Sequence, residues 1–340
     1  MKNKFIRNTI ILSCIAAFCL FVPTILIKFD IILDAYIAQL LTLSGVNAIM
    51  ALSVNMICGI TGQLSLGQAG FMAIGAYATV LLTEAGCPLF VSVIIAAIIT
   101  AFFGFLIGFP VLKLEGDYLA IVTLAFGEII FKVLVNLKSL TGGPNGKQFV
   151  TMLCLDPTLA YFVITAVLIV LVVLVQNFIS STYGRSILAV REDEIAANSS
   201  GIPIFKYKMI GFVIASFIAG IGGALYVMLI GFVKPDQASF TKSIDYLIYV
   251  VLGGMGSTTG AVLAAFVLTI LQEVLRFLKD FRLLVYPVIL VIVMLFRPQG
   301  LLGTKEASFV KTFDWLKAGG LKTLFGKKSK KTESSEKEAE

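Results

Sequence analysis

The chain has 340 residues, of which 58% are apolar and only 14% are charged, and its repeated apolar runs near 20 residues exclude an ordinary soluble domain. The absence of histidine excludes His general bases and His metal ligands, and the five scattered cysteines, which form no CxxC pair, are interpreted as small core residues. The net charge of +7 does not indicate nucleic-acid binding, because ten of the 27 basic residues follow the last apolar run, where a cytoplasmic tail is expected.

Continuous apolar runs without period-two alternation predict an all-α, polytopic integral membrane protein with about 8–10 transmembrane helices rather than a β-barrel. The candidate spans are 9–27, 36–57, 67–83, 89–109, 118–137, 158–178, 208–230, 244–256, 259–278 and 283–297. The short run 244–256 could be re-entrant. Ten crossings would place both termini in the cytoplasm, in agreement with the basic residues at both ends. We predict a membrane domain at 1–303 and a basic, partly disordered cytoplasmic tail at 304–340.

The first run, 9–27, follows a basic head and is either a signal peptide or a retained span. We favour a retained span, because the run has about 19 residues, no A-x-A cleavage site follows it and further spans come after it. In the tail, Trp315 and neighbouring apolar residues predict a short interfacial helix near 306–318.

Residues 59–79 read GITGQLSLGQAGFMAIGAYAT and combine glycines with polar residues at membrane depth. Irregular backbone is tolerated there only where protein or a water-filled cavity satisfies it, and discontinuous helices often mark substrate paths. Close helix packing through small residues is the alternative interpretation, and both can hold. The candidate path residues are Gln63, Ser65 and Gln68, and the glycines expected to shape this segment are Gly62, Gly67 and Gly70.

The run EGDYLAIVTLAFGEIIFKVLVN at 115–136 places Glu128 and Lys132 four residues apart, on one face of a helix. Ionisable residues inside a membrane usually face the bundle or a cavity, and they pair. Thr123 and Glu128 are therefore further candidates for a polar path. A structural Glu128–Lys132 ion pair is the alternative interpretation.

A charged segment, SSTYGRSILAVREDEIAANSSGIPIFKYK at 180–208, interrupts the apolar runs. Its helix formers predict one polar helix of about four turns from Arg185 to Ser200, ended by Gly201 and Pro203, with its apolar residues on one side. Such a helix can lie on a membrane or fit a partner's groove, and three consecutive acidic residues argue against an anionic lipid surface. The candidate contact residues are Arg185, Ile187, Leu188, Arg191, Glu192, Asp193, Glu194 and Ile195.

A second Gly-rich break reads GGMGSTTG at 253–260 and is again followed by a helix of small residues. Gly253, Gly254 and Gly256 are the candidate structural glycines there. The two breaks could be halves of an internal pseudo-repeat.

The chain contains no G-x-x-x-x-G-K-[ST] motif, and TGGPNGKQ at 141–148 lacks both the first Gly and a Ser/Thr after Lys147. An intramembrane enzyme would need clustered catalytic groups, whereas this chain has no histidine and no paired carboxylates at membrane depth. We therefore predict no catalytic residue, no nucleotide site, no metal and no organic cofactor in this chain.

Five motifs occur in order at GQLSLGQAGFMAIGAYA (62–78), EGDYLAIVTLAFGEI (115–129) with SLTGGPNG (139–146), GRSILAVREDEIAANSSGI (184–202), VVLGGMGSTTGAV (250–262) and LFRPQGLLG (295–303). Together, over roughly 40–303, they resemble the branched-chain amino acid ABC transporter permease family, LivM type. The family pattern often has His where Gln68 stands, and we attach no chemistry to that difference.

The resemblance implies a permease subunit of a bacterial importer in the cytoplasmic membrane, with ATP and Mg bound by partner subunits. The implied partners are a homologous second permease, two cytoplasmic P-loop ATPases, an extracytoplasmic solute-binding protein, membrane lipid and an amino-acid substrate. By this resemblance 184–202 would be the coupling helix, and solute would be released at outer loops 138–157 and 231–243. The alternatives are a related permease for urea, amides or other amino acids, or an autonomous channel or secondary transporter.

Overall fold

The structure, a computed structural model, describes residues 35–114, 116–296 and 300. Within these ranges six helices are long and apolar enough to cross a membrane: Tyr36–Ile60, Leu89–Val111, Asp117–Asn136, Pro157–Ser180, Ile204–Ile230 and Thr258–Phe277. The prediction of an all-α, multi-pass membrane protein is confirmed. The predicted span 9–27, the tail 304–340 and its interfacial helix lie outside the described residues.

The helices in chain order are α1 (Ala35–Val54), α2 (Gln68–Glu84), α3 (Leu89–Val111), α4 (Asp117–Asn136), α5 (Lys138–Thr141), α6 (Met152–Leu155), α7 (Pro157–Ser180), α8 (Thr182–Glu192), α9 (Glu194–Ser199), α10 (Ile204–Ile230), α11 (Phe240–Gly253), α12 (Thr258–Val274) and α13 (Arg282–Phe296). A π-helical turn, Asn55–Ile60, extends α1, and 3-10 turns lie at Gly143–Asn145, Pro235–Ala238 and Leu275–Phe281. Two short strands, β1 (Lys147–Gln148) and β2 (Phe232–Val233), pair antiparallel with Lys147 opposite Val233.

Three of the predicted spans correspond to helices that are shorter than the six membrane-crossing ones. They are α2, α11 and α13, with 17, 14 and 15 residues. At 1.5 Å per residue α11 is about 21 Å long, which is less than the ~30 Å of a bilayer core. A re-entrant course for α11 stays a prediction.

The core lies around α10, which packs against α1, α2 and α3, while α1 also packs against α7 and α12. Glycines allow the closest of these approaches. A Cβ on Gly220 of α10 would lie 2.8 Å from Thr100 Oγ1 and 3.0 Å from Ala97 Cα of α3. Small residues of this kind bring helix backbones together inside a membrane, where dispersion contacts hold helices side by side. Next to this seam the rings of Phe71 and Phe212 meet edge to face at 5.7 Å.

Side-chain caps fix where several helices begin. Asp156 accepts from the amides of Thr158 and Leu159 at the start of α7, where Pro157 takes the first helical position. The hydroxyl groups of Ser181 and Ser257 accept from amides in the first turns of α8 and α12. Each cap satisfies an amide that has no partner within its helix. The sequence thereby sets where α7, α8 and α12 begin.

Candidate site where the charged segment meets the broken helices

The first break is the π-helical turn Asn55–Ile60 together with the irregular backbone of residues 61–67 between α1 and α2. Gly62 has φ +71°, a conformation that favours glycine. Gly67 lies against α4, since a Cβ there would be 2.6 Å from the carbonyl oxygen of Thr123. The Thr123 hydroxyl in turn accepts from the amide of Leu66 at 3.1 Å. The first break is therefore anchored on α4.

Gln63, Ser65 and Gln68 were predicted as path residues and are all buried, the first two in this break and Gln68 at the start of α2. Oε1 of Gln68 lies 3.0 Å from the hydroxyl oxygen of Ser53 in α1. Both amide atoms of Gln63, the Ser65 hydroxyl and Nε2 of Gln68 have no hydrogen-bond partner among the described residues. An unsatisfied buried polar group costs about 1–3 kcal/mol, so the stability of this chain alone gives no reason for these side chains.

The second break, Gly253–Ser257, joins α11 to α12 in a tight turn. A Cβ on Gly253 would lie 2.5 Å from the carbonyl oxygen of Gly260, so the two helices touch backbone to backbone. Gly254 and Gly256 both have positive φ, at +105° and +92°. The backbone amide of Gly256 donates to Oδ1 of Asn55 at 2.9 Å, and this bond joins the second break to the first. The predicted internal pseudo-repeat stays a prediction.

The charged segment, which in the structure comprises residues 181–203, contains two helices, and the prediction of one continuous helix was wrong. The backbone of Asp193 is extended between α8 and α9, with φ −156° and ψ 108°. Oδ1 of Asp193 accepts from the amides of Ile195 and Ala196 at 2.9 Å each. Aspartate is a poor interior residue and one of the best N-caps, so it starts a new helix here.

The predicted common face of Ile187, Leu188 and Ile195 is also wrong. Ile187 is buried at 1% exposure, Leu188 packs half-buried against the same core, and Ile195 is 81% exposed. The interruption at Asp193 reorients the chain, so helical periodicity cannot be carried from α8 into α9. Of the other predicted contact residues, Arg185, Glu192 and Asp193 are exposed, and Arg191 and Glu194 are half-buried.

Arg191 leaves α8 and reaches into the bundle. Its Nη1 donates to the backbone carbonyl of Gly59 in the first break. A Cβ on Gly62 would lie 2.9 Å from Arg191 Cγ, and a Cβ on Gly256 would lie 2.9 Å from Arg191 Nη1. One guanidinium side chain therefore contacts both breaks. Near it, Lys208 at the start of α10 forms an ion pair with Glu194, with 2.6 Å between Nζ and Oε1.

Glu128, the remaining predicted path residue, lies farther along α4 than Thr123. Its Oε1 lies 3.3 Å from the amide nitrogen of Phe240, at the start of α11. Lys132 lies over the ring of Phe131, with Nζ 5.0 Å from the ring centroid. The ion pairs found among the described residues do not join Glu128 to Lys132. The alternative of a structural pair is therefore not supported, and a path role for Glu128 stays a prediction.

The predicted structural glycine Gly70 lies within α2 and faces α4. A Cβ on Gly70 would be 3.2 Å from Cα of Gly127. The six predicted glycines thus all lie at or beside the two breaks, where they allow close packing or turns.

Asn55 is the functional candidate that sequence analysis missed. It is fully buried, its Oδ1 holds Gly256, and its Nδ2 has no partner among the described residues. The available signal was an asparagine at the end of a long apolar run, four residues before Gly59.

At the opposite end of the bundle, loops 138–157 and 231–243 meet. The β1–β2 pairing joins them, and the amide of Phe149 also donates to the carbonyl of Gly231 at 2.8 Å. Lys147 pairs with Glu84 at the end of α2, with 2.6 Å between the charged atoms. These two loops, which were both predicted to face outside, therefore form one joined surface.

The described part of the chain contains no group of three or more His, Cys, Asp or Glu residues able to hold a metal ion. The absence of a metal or organic cofactor from the whole chain stays a prediction.

Residues 36–296 match a protein-family model described as a branched-chain amino acid transport system permease component. The chain is 37% identical, over 77% of its length and 68% of the relative's, to the high-affinity branched-chain amino acid transport system permease protein LivM of Escherichia coli strain K12. It is 29% identical to the permease protein BraD of Pseudomonas aeruginosa over 81% of this chain and 98% of that relative. It is 24% identical to LivH of Escherichia coli strain K12 over 79% and 95% of the two chains. No solved structure matches the chain.

Proposed function

Because this chain belongs to the family of branched-chain amino acid transport permease components, we propose that it is the membrane-spanning permease subunit of a binding-protein-dependent ABC importer. The importer moves leucine, isoleucine and valine into the cell across the bacterial cytoplasmic membrane. Separate ATPase subunits bind ATP and Mg, since the sequence of this chain carries no P-loop motif. Both termini face the cytoplasm, on the side of the charged segment.

The observation that carries this proposal is the contact of Arg191 with both glycine-rich breaks. A hydrogen bond from a guanidinium to a backbone carbonyl is charge-assisted and stronger than a neutral one. Movement of the charged segment is therefore transmitted directly to the ends of α1 and α11. An ATPase that pushes this segment would shift the two places where the membrane helices are interrupted.

The exposed residues of the charged segment form the surface for the ATPase. Ile195 presents an exposed apolar side chain, and Arg185, Glu192 and Asp193 are exposed charged residues of the same segment. An apolar anchor with a charged rim is the pattern by which a short helix fits a groove on a partner. The buried Ile187 and the half-buried Arg191 instead fix this surface to the bundle.

The joined surface of loops 138–157 and 231–243 is the place where the solute-binding protein delivers its ligand. A homologous second permease completes the path, and the first break, with its buried polar side chains, lines that path. Supply of solute by a binding protein requires little affinity from the permease itself.

The test is uptake of radiolabelled leucine into proteoliposomes that contain the complete importer, with ATP inside and binding protein outside. We expect ATP-dependent uptake, and we expect Arg191→Met to lower the initial rate by about fivefold or more while the ATPases still co-purify. Lys206→Met, which alters an exposed lysine outside the site, is the control and should change neither quantity. Uptake by the purified chain alone along an ion gradient would overturn the proposal in favour of an autonomous transporter.

The solute class is tested in the same vesicles. Excess unlabelled leucine, isoleucine and valine should each suppress the uptake of labelled leucine, whereas urea and acetamide should not. Uptake of urea or amides in place of leucine would assign the chain to a different branch of the family.

A further inference from the structure

A polar cavity lies beside the first break, at the end of the bundle that carries the charged segment. Its volume is about 360 Å³, within the ~300–1,000 Å³ that small-molecule sites occupy. Its wall is made by the first break, by Glu194 of α9, by Lys208 of α10 and by residues at the end of α3 and the start of α4, namely Leu112, Leu114, Gly116, Asp117 and Leu119. The cavity therefore touches the segments that the proposed coupling would move.

The cavity wall carries charges of both signs. Lys208 is buried, and its ammonium group is paired with Glu194 of the charged segment. Asp117, at the start of α4, lines the exposed side of the same cavity and has no hydrogen bond or ion pair to the described residues. A cation and an unpaired carboxylate in one cavity match a ligand that itself carries both charges.

Gln63 adds an unsatisfied amide. It lines the cavity at 5% exposure, and both its oxygen and its nitrogen lack a partner among the described residues. A buried amide of this kind is satisfied by a ligand that offers both a donor and an acceptor. The ammonium and carboxylate groups of an α-amino acid offer both.

The rest of the lining suits an aliphatic side chain. Four leucines contribute to the wall, namely Leu64, Leu112, Leu114 and Leu119. The leucines thus place apolar surface next to the convergent polar groups, a combination that small-molecule sites use.

From this arrangement we propose that the cavity binds a free aliphatic α-amino acid. The ligand carboxylate takes the place of Glu194 on Lys208, the ligand ammonium pairs with Asp117, and Gln63 bonds to either charged group. This proposal rests on the proposed function and adds a binding site in the permease itself. Since the ligand and Glu194 compete for one lysine, occupancy of the cavity frees α9 from α10.

The experiment measures equilibrium binding of radiolabelled L-leucine to the complete purified importer in lipid nanodiscs, without binding protein. The competing probes are unlabelled leucine, 4-methylpentanoate, which lacks the ammonium, and isopentylamine, which lacks the carboxylate. We expect isopentylamine to compete about tenfold or more weakly than leucine, because it leaves the buried Lys208 without a carboxylate partner from the ligand. We expect 4-methylpentanoate to compete about threefold more weakly, because the interaction that it leaves unmade is with the exposed Asp117.

Variants assign the binding to this cavity. Asp117→Asn should weaken leucine binding about threefold and leave the affinity for 4-methylpentanoate unchanged. Lys208→Met should weaken the binding of both ligands. Glu194→Gln should tighten leucine binding, because the competing carboxylate is removed, and a loss of folding cannot produce that result. Lys206→Met, two residues before Lys208, is the matched control and should bind leucine as the unaltered importer does.

The two proposals fail separately. An importer that takes up leucine but shows no displaceable leucine binding, or binding that Asp117→Asn, Lys208→Met and Glu194→Gln all leave unchanged, overturns the cavity site and keeps the transport function. An importer that binds leucine with the expected response to these variants, yet takes up none in proteoliposomes, overturns the transport function and keeps the site.

Discussion

The two breaks are both rich in glycine and differ in how their polar groups are satisfied. The second break is a tight turn in which Ser257 caps α12 and Asn55 accepts from Gly256. The first break contains a π-helical turn and buried Gln63 and Ser65 side chains without partners. Glycine content alone therefore does not distinguish a hinge that packs two helices from a segment that has polar groups available for a ligand.

From this difference we expect the second break to contribute mainly to the stability of the protein and the first break to contribute mainly to transport. Substitutions in the second break should lower the thermal stability of the purified chain, whereas removing unpartnered polar atoms from the first should leave stability unchanged and lower uptake. Four substitutions test this division.

Gly253→Ala should have the largest effect on stability. The added methyl group meets the carbonyl of Gly260, so α11 and α12 must move apart, at a cost of about 3 kcal/mol or a loss of folded protein. Thermal unfolding in detergent measures the change. Gly127→Ala is the matched control, since its Cβ would meet Cα of Gly67 at an ordinary 3.6 Å, and an equal loss in both variants would contradict the packing argument.

Asn55→Ala should come next, because it removes the bond that joins the two breaks. The amide of Gly256 loses its acceptor inside the bundle, at a cost of about 1–3 kcal/mol. The same unfolding measurement applies. Asn136→Ala, at an exposed position at the end of α4, should be close to neutral, and a variant of Asn55 as stable as the unaltered chain would show that the breaks are not joined through this residue.

Ser257→Ala should lower the free energy of unfolding by about 1 kcal/mol, because α12 loses its N-cap. A shift in the thermal midpoint of the purified chain reports this loss. Ser200→Ala, at an exposed position after α9, serves as the control. A shift no larger than that of the control would mean that the cap contributes nothing measurable.

Ser65→Ala should have the smallest effect on stability and a clear effect on transport. The variant removes a buried hydroxyl without a partner, so stability should stay the same or rise by up to about 1 kcal/mol. Leucine uptake by the complete importer should nevertheless fall about threefold or more, as expected for a residue on the solute path. Destabilisation equal to that of Ser257→Ala would remove the distinction between the two breaks.

Local sequence patterns predicted the parts of the fold that depend on local composition. The long apolar helices follow from run length, and both breaks follow from clustered glycine and polar residues. The pairing of the breaks could not be predicted, because Asn55 and Gly256 are distant in sequence and join only after the helices pack. The hydrogen bond from the amide of Leu66 to the hydroxyl group of Thr123 likewise joins residues that are distant in sequence.

The charged segment shows where periodicity fails. A helical wheel drawn from Arg185 to Ser200 assumes one axis, and Asp193 ends that axis by capping a new helix. Arg191, which the sequence placed among the contact residues for a partner, instead donates to the carbonyl of Gly59 in the bundle. Gly59 is 132 residues away in sequence, so a local sequence pattern cannot predict that its carbonyl group accepts a hydrogen bond from Arg191.

The position of Arg191 also sets a boundary for engineering. Most residues from Glu192 to Ser200 are exposed, whereas Arg191 and the buried Ile187 and Val190 attach α8 to the bundle. A chimaera that retargets this permease to a foreign motor subunit should therefore exchange 192–200 and retain the arginine. A graft that begins one residue earlier would sever the transmission while leaving the new docking surface intact.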